Sequence, residues 1–164
     1  MPAGQTASTF ILDLPGLGFT SIVASLFTGT AGELRIKTGT NTFAFGDIGG
    51  AISEIARKNR LSVVEDFCGH GLGRLFHDEP NVIHSSDYNT GPELKPGMFF
   101  TIEPMLNLGR RDAAILPDGW TAVTRDRQLS AQFEHSVGVT ETGVEIFTSS
   151  PKGWHEPFKV KSGA

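Results

Sequence analysis

The chain has one cysteine, Cys68, and no apolar run as long as a membrane span. A single cysteine excludes an internal disulfide framework, which fits a reducing compartment. A spanning helix needs roughly 18 or more successive apolar residues, whereas Asp13, Pro15 and Gly16 interrupt the apolar stretch 10–27. No basic residue precedes that stretch, so no secretory signal is predicted. These absences predict a cytoplasmic protein that does not contact a membrane.

Basic residues are in the minority, since 14 Lys and Arg face 18 Asp and Glu. The resulting net charge of −4 gives no basic surface for nucleic acid, so binding of nucleic acid is not predicted. The 164 residues, of which 38% are hydrophobic, are enough for one hydrophobic core.

Charge is scarcest at the start of the chain. Residues 1–44 contain four charged residues, and the other 120 contain 28. This shift predicts a weakly structured leader over 1–44, with one short strand or helix at Thr20–Phe27, and a folded domain over 45–148. The tail 149–164 contains proline and glycine without a period, which predicts a surface segment.

The periodicity of the folded part predicts one helix followed by strands. Ile48, Ile52, Ile55 and Ala56 form the apolar stripe of an amphipathic helix over Gly46–Asn59. Turn-forming residues predict a loop over 84–97 and turns at 117–119 and 141–143. The predicted strands are Leu61–Val64, Met98–Leu106, Thr121–Thr124, Ala131–Thr140 and Val144–Thr148, the last two forming a hairpin. One helix with antiparallel strands is typical of the α+β class.

Three segments have the chemistry of a metal site. Cys68–Pro80 holds His70 and His77 among three glycines, which predicts that a turn presents His70. Glu103 and Glu134 each stand alone in an apolar, strand-like run, where an ionised carboxylate is costly unless a positive group meets it. One imidazole and two carboxylates suit divalent ions such as Mn, Fe, Co or Zn. We expect their ligand atoms to lie within about 5 Å of one another.

Ordinary structural roles remain open for each of these residues. A histidine between glycines can be a turn or core residue, and His77 can be a surface residue packed by Phe76. A glutamate in a strand can be half-exposed or paired with Arg or Lys. Trp120 can be a core residue. Taken alone, these patterns indicate no more than a metalloprotein.

Three longer motifs carry a resemblance to a known family. In order along the chain they read CGHGLGRLFHDEPNVIH, LKPGMFFTIEPML and PDGWTAVTRDRQLSAQFEHSVGVTETGVEIFT. The chain resembles the methionine aminopeptidases of type I over about residues 46–148. The resemblance implies the C-terminal half of a pita-bread fold, with a curved antiparallel sheet. It also implies a two-metal site that removes the N-terminal methionine from nascent polypeptides.

The resemblance also assigns roles to single residues. It implies that His70, Glu103 and Glu134 are metal ligands, with Glu134 the one that bridges both ions. His77 matches the histidine that contacts the scissile peptide, and Glu103 is also the candidate proton acceptor. Phe76 and Trp120 match two walls of the methionine pocket.

The chain departs from the family pattern before His70. The family takes two further ligands from aspartates, in an Asp-Val-Thr strand and a Gly-Asp-Thr segment, and a substrate contact from an earlier histidine. Here no histidine precedes His70, and the aspartates Asp13, Asp47 and Asp66 have other neighbours. We therefore expect at most one divalent ion, and weak or absent activity of this chain alone.

Two alternatives follow from that departure and from the fold. One is a non-catalytic module that retains the fold to bind peptides or proteins, and the other is the prolidase or creatinase branch of the same fold. Phe76 and Trp120 favour the methionine enzyme over the latter. Half of a pseudo-symmetric fold leaves a sheet edge unpaired, so we also expect self-association.

Overall fold

The computed structural model describes residues 43–141, 143–148 and 151. The short element predicted at Thr20–Phe27, the leader up to residue 42 and the tail apart from Pro151 lie outside these residues.

The first described element is helix α1, Phe45–Lys58, which agrees with the predicted helix to within one residue at each end. Its N-terminus is held by Asp47, whose carboxylate accepts a hydrogen bond from the Ala44 amide at 2.7 Å. An acidic side chain in the first turn also interacts favourably with the helix dipole. The buried stripe packs on the sheet, with the rings of Phe45 and Phe100 4.9 Å apart.

In the part of the chain that the structure describes, ten short strands follow α1 and form three antiparallel sheets. A five-stranded sheet has the order β10-β9-β4-β2-β3, a three-stranded sheet the order β1-β5-β8, and β6 pairs with β7. The strands are β1 Ser62–Val63, β2 Gly69–Gly71, β3 Asp78–Val82, β4 Phe99–Ile102, β5 Met105–Asn107, β6 Ala113–Ile115, β7 Ala122–Thr124, β8 Ser130–Gln132, β9 His135–Thr140 and β10 Gly143–Ile146. One helix with antiparallel sheets confirms the predicted α+β class.

Two of the segments that were predicted as single strands each form two strands in the structure. The run predicted as Met98–Leu106 is divided at Glu103 and Pro104 into β4 and β5, and the run predicted as Ala131–Thr140 is divided at Phe133 and Glu134 into β8 and β9. The first part of each run pairs with the last part of the other, β4 with β9 and β5 with β8. The two breaks therefore face each other across the pair, and each contains one of the two glutamates.

The glycine-rich segment was predicted to hold His70 on a turn, and this is wrong. His70 is the middle residue of strand β2, between β3 and β4. A Cβ atom on Gly69 would meet the carbonyl of Thr101, and one on Gly71 would meet the carbonyl of Glu79. The glycines therefore allow close approach of the neighbouring strands, a role that favours glycine as much as a turn does.

The hydrophobic core lies between α1 and the sheets. Its members are Phe45, Ile48, Ile52, Ala56, Val63, Val82, Phe100, Ile102, Leu106, Val137 and Val139. Within the described ranges, no helix is long and apolar enough to cross a membrane.

Candidate metal centre

His70, Glu103 and Glu134 converge at the breaks between the sheets. One ligand atom from each of the three residues lies within 4.8 Å of the others. The side chains come from three separate parts of the sequence, and the pairing of β2 with β4 and of β4 with β9 brings them together. The spacing agrees with the expected value of about 5 Å.

The imidazole of His70 is oriented by its own strand. Nδ1 lies 3.0 Å from the carbonyl oxygen of Gly71, and because a carbonyl only accepts, Nδ1 carries the proton. In the neutral ring Nε2 is then the nitrogen with the free lone pair, and it lies 3.7 Å from Oε1 of Glu103. A backbone carbonyl that fixes the tautomer in this way is the usual support of a histidine ligand.

The carboxylate of Glu103 is half-buried and held by two neighbours. The Thr101 hydroxyl donates to Oε1 at 2.7 Å, and Nε2 of Gln132 lies 3.4 Å from Oε2. Burial raises the pKa of Glu103, the hydrogen bond from Thr101 lowers it, and the charge of Glu134 raises it. The ionised form of Glu103 therefore lies close to a second carboxylate in a partly dry site, where a cation would stabilise it.

The three donors fit a divalent ion. Ligand bonds of roughly 2.0–2.2 Å place two ligands on opposite sides of an ion about 4.4 Å apart. The observed limit of 4.8 Å is only slightly larger, so small side-chain rotations would close the site. One nitrogen and two carboxylate oxygens are donors that suit Mn, Fe, Co and Zn.

His77 and Phe76 lie beside His70. The ring centroids of His70 and His77 are 4.5 Å apart, and those of His70 and Phe76 are 5.5 Å apart. His77 therefore borders the same space as the three candidate ligands.

Phe76 and Trp120 are not enclosed by the part of the chain that the structure describes. Phe76 is 75% exposed and Trp120, which follows the turn between β6 and β7, is 88% exposed. The core role that we considered for Trp120 is therefore wrong, and its role in a pocket stays a prediction.

His84 lies beside the centre and was not predicted from the sequence. His84 is buried behind Glu103, and its Nε2 accepts a hydrogen bond from the Glu103 amide at 3.2 Å. Burial lowers the pKa of His84 to about 4, which keeps the ring neutral near pH 7. Burial alternates past the end of β3, with Val82 and His84 buried and Ile83 exposed. The sequence gives no such signal, because Val82 and Ile83 are both apolar.

The two described aspartates that precede His70 have structural partners. Asp47 accepts hydrogen bonds from the amides of Ala44 and Asn89. Asp66 accepts one from the amide of Ala113. Asp13 lies outside the described residues, so the set of candidate ligands that the structure brings together has three members.

The sequence profile of metallopeptidase family M24 matches residues 30–141. The chain belongs to this family. The match starts inside the predicted leader 1–44, and it covers more than half of the chain. Membership of a metallopeptidase family agrees with the divalent metal site that the three donors indicate.

Individual M24 relatives and solved structures extend the comparison. The chain is 56% identical over 108 residues to a methionine aminopeptidase of Rickettsia prowazekii, covering 65% of this chain and 42% of that protein. It is 49% identical over 146 residues to that of Escherichia coli strain K12, covering 88% of this chain and 54% of that protein. The chain thus spans about half the length of these relatives.

Crystal structures of methionine aminopeptidases support the fold. The structure from Rickettsia prowazekii matches with a TM-score of 0.69 at 46% identity, over 77% of this chain and 50% of that one. The structure from Thermotoga maritima matches with a TM-score of 0.70 at 32% identity, over 79% and 50%. These similarities confirm the predicted family resemblance and the pita-bread type of fold.

Proposed function

We propose that this chain is a metal-dependent aminopeptidase that removes the N-terminal methionine from nascent polypeptides in the cytoplasm. The observation that carries the proposal is the convergence of His70, Glu103 and Glu134 to within 4.8 Å in a member of a metallopeptidase family. The names of the relatives, which are methionine aminopeptidases, support the substrate class.

In this proposal the three converging side chains hold the ion. When bound, a divalent ion acts as a Lewis acid and lowers the pKa of water. Glu103 accepts the proton of the attacking water, a role that suits a half-buried carboxylate with a raised pKa. Glu134, the more exposed carboxylate, completes the ligand set.

His77 and the two exposed aromatic residues bind the peptide in this proposal. His77, next to His70, donates a hydrogen bond to the scissile peptide and stabilises the negative charge that develops on its oxygen. Phe76 and Trp120 supply apolar surface for the methionine side chain. Both side chains are exposed in the described part of the chain, so their rings are accessible to a substrate side chain.

We further propose that the chain binds one ion, and weakly, so that its activity alone is low or absent. The support is the number of donors among the described residues, where three residues converge while Asp47 and Asp66 are hydrogen-bonded elsewhere. An ion with three protein ligands keeps water in its other positions, as catalytic sites do, but it has few bonds to hold it.

Two measurements on the full chain test the proposal. Isothermal titration with Mn, Co or Fe should give a stoichiometry near one, and hydrolysis of a methionyl peptide should depend on the added metal. Glu134→Gln removes one charged ligand and should weaken binding of the ion by at least about tenfold. Glu141→Gln is the matched control, because Glu141 is an exposed glutamate at the end of β9, away from the centre.

The outcomes separate the alternatives. Two tight ions per chain would contradict the single site. Absence of turnover with intact binding of methionyl peptides would favour the non-catalytic binding module. Equal metal affinity in the Glu134→Gln and Glu141→Gln variants would remove the metal centre from the proposal.

A further inference from the structure

The side chain of Thr101 stands between two of the candidate ligands. It is 1% exposed and lies in β4, next to β2, which carries His70. Its hydroxyl oxygen accepts a hydrogen bond from the His70 amide at 3.0 Å and donates one to Oε1 of Glu103 at 2.7 Å. One hydroxyl thus connects the main chain of one ligand to the carboxylate of another.

The direction of these hydrogen bonds follows from the groups involved. An amide N–H only donates, and an ionised carboxylate only accepts. The single hydroxyl proton of Thr101 therefore points to Glu103, at 2.7 Å, and not to the His70 carbonyl, which lies at the longer distance of 3.5 Å.

The fold makes room for this arrangement at Gly69. A Cβ atom on Gly69 would meet both the carbonyl and the hydroxyl oxygen of Thr101. Strand β2 therefore approaches Thr101 closely only because residue 69 has no side chain. The same carboxylate oxygen that Thr101 holds, Oε1, is the one that faces Nε2 of His70.

We propose that Thr101 is a positioning residue, which fixes the carboxylate of Glu103 against His70 before an ion binds. This inference rests on the proposed metal centre. Thr101 is not itself a ligand. Its hydrogen bond restricts the rotation of the Glu103 side chain, so that less conformational entropy is lost when the ion binds. Loss of such an outer hydrogen bond typically costs about 10–100-fold in metal affinity.

The test compares two substitutions in the full chain. Thr101→Val keeps the shape of the side chain and removes the hydroxyl, whereas Thr101→Ser keeps the hydroxyl. We expect the Mn dissociation constant, measured by titration calorimetry, to rise about 10–100-fold in Thr101→Val and to return to within about threefold of the parent in Thr101→Ser. Thr124→Val is the matched control, because Thr124 also donates a hydrogen bond, at 2.7 Å, but to the carbonyl oxygen of Gln128 in the β6–β7 arm, residues 108–129.

A second readout needs no metal. The amide of His70 should lose protection from hydrogen exchange in Thr101→Val and keep it in Thr101→Ser. If the parent chain does not bind Mn, the proposed function fails, and the His70 amide still decides whether Thr101 fixes this strand.

The proposal would be overturned if Thr101→Val changed neither the Mn affinity nor the exchange of the His70 amide. It would also be overturned if Thr101→Ser lost as much affinity as Thr101→Val, since the hydroxyl would then not be the cause. Should Thr101→Val fail to fold, Thr101→Ala takes its place, with urea unfolding as the check on folding.

Discussion

The imidazole of His84 is buried without a charged partner among its described hydrogen bonds, so its protonation opposes folding. Its pKa is lowered from 6.5 to about 4 because burial disfavours the charged ring. Between these two values the unfolded chain binds more protons than the folded chain. The free energy of unfolding therefore falls as the pH is lowered from about 6.5 to about 4.

A substitution at residue 84 isolates this contribution. In His84→Gln the side-chain oxygen can still accept the hydrogen bond from the Glu103 amide, but the side chain no longer titrates. We expect urea unfolding in the presence of EDTA to show the parent losing on the order of 3 kcal/mol more than the variant between pH 7 and pH 4. Parallel pH profiles for the two proteins would contradict the burial of a neutral His84.

The predictability of the centre differs from residue to residue. His70, Glu103 and Glu134 could be singled out from the sequence because each contrasts with its immediate neighbours, a histidine among glycines or a carboxylate in an apolar run. The structure brings the three together, and their role as ligands, which the resemblance implies, stays a prediction. Thr101 and His84 were not assigned to the centre, because a threonine in a strand and a histidine before a polar loop fit their local context. Their roles depend on contacts with residues 31 and 19 positions away, which no local pattern reveals.

At the scale of the elements, the helix and the class of the fold could be predicted, but the strand boundaries at the centre could not. Apolar alternation continues through Glu103 and Glu134, so each pair of strands looked like one long strand. The division depends on where β4 and β5 change partners between β9 and β8, which is a tertiary property. The glycines of β2 led to the wrong prediction of a turn for a similar reason. Glycine is favoured both in turns and where neighbouring strands pack closely, and the sequence does not distinguish the two.

Strand β2 should tolerate no side chain at residue 71. A Cβ atom there would collide with the carbonyl of Glu79 in β3, and backbone atoms in a sheet cannot move far. We expect Gly71→Ala to lower the free energy of unfolding by about 3 kcal/mol and to weaken metal binding by displacing His70.

Gly119→Ala is the control for this effect. Gly119 has a φ of +70° but nothing within 4 Å of an added Cβ, so only the cost of the left-handed backbone, about 1–2 kcal/mol, applies. Urea unfolding of both variants provides the comparison. Equal destabilisation, with unchanged metal affinity in Gly71→Ala, would show that β2 and β3 are not tightly packed around the centre.

For the molecule as a whole, one sheet edge carries exposed aromatic surface. Strand β10 is at the edge of the five-stranded sheet, and Phe147 directly follows it. The rings of Phe147 and Phe99 lie 5.7 Å apart, and about half of each side chain is exposed. Exposed apolar rings beside an outer strand of the described sheet favour contact with another chain.

We expect the chain to self-associate at this edge. Sedimentation velocity over a range of concentrations should show a concentration-dependent increase in mass. Phe147→Lys should suppress it, because a lysine at an edge opposes strand pairing. Ile115→Lys, on the exposed β6–β7 arm, should have little effect. A monodisperse monomer for the parent chain at all concentrations would refute this expectation.

The breaks between β4 and β5 and between β8 and β9 also separate segments that differ in how well they tolerate insertions. An insertion in β4, β5, β8 or β9 shifts the register and separates the two glutamates, since every residue there has a fixed partner. The arm between Leu108 and Leu129 leaves and returns at one backbone hydrogen bond of 2.9 Å between these two residues. The base of the arm is also tied to Glu65 and Asp66 through Arg111 and Ala113. The β6–β7 turn beyond these contacts can therefore vary in length without moving the centre, and under the proposed function this turn, which carries Trp120, is where descendants of such a chain could acquire new substrate preferences while inheriting the same ligands.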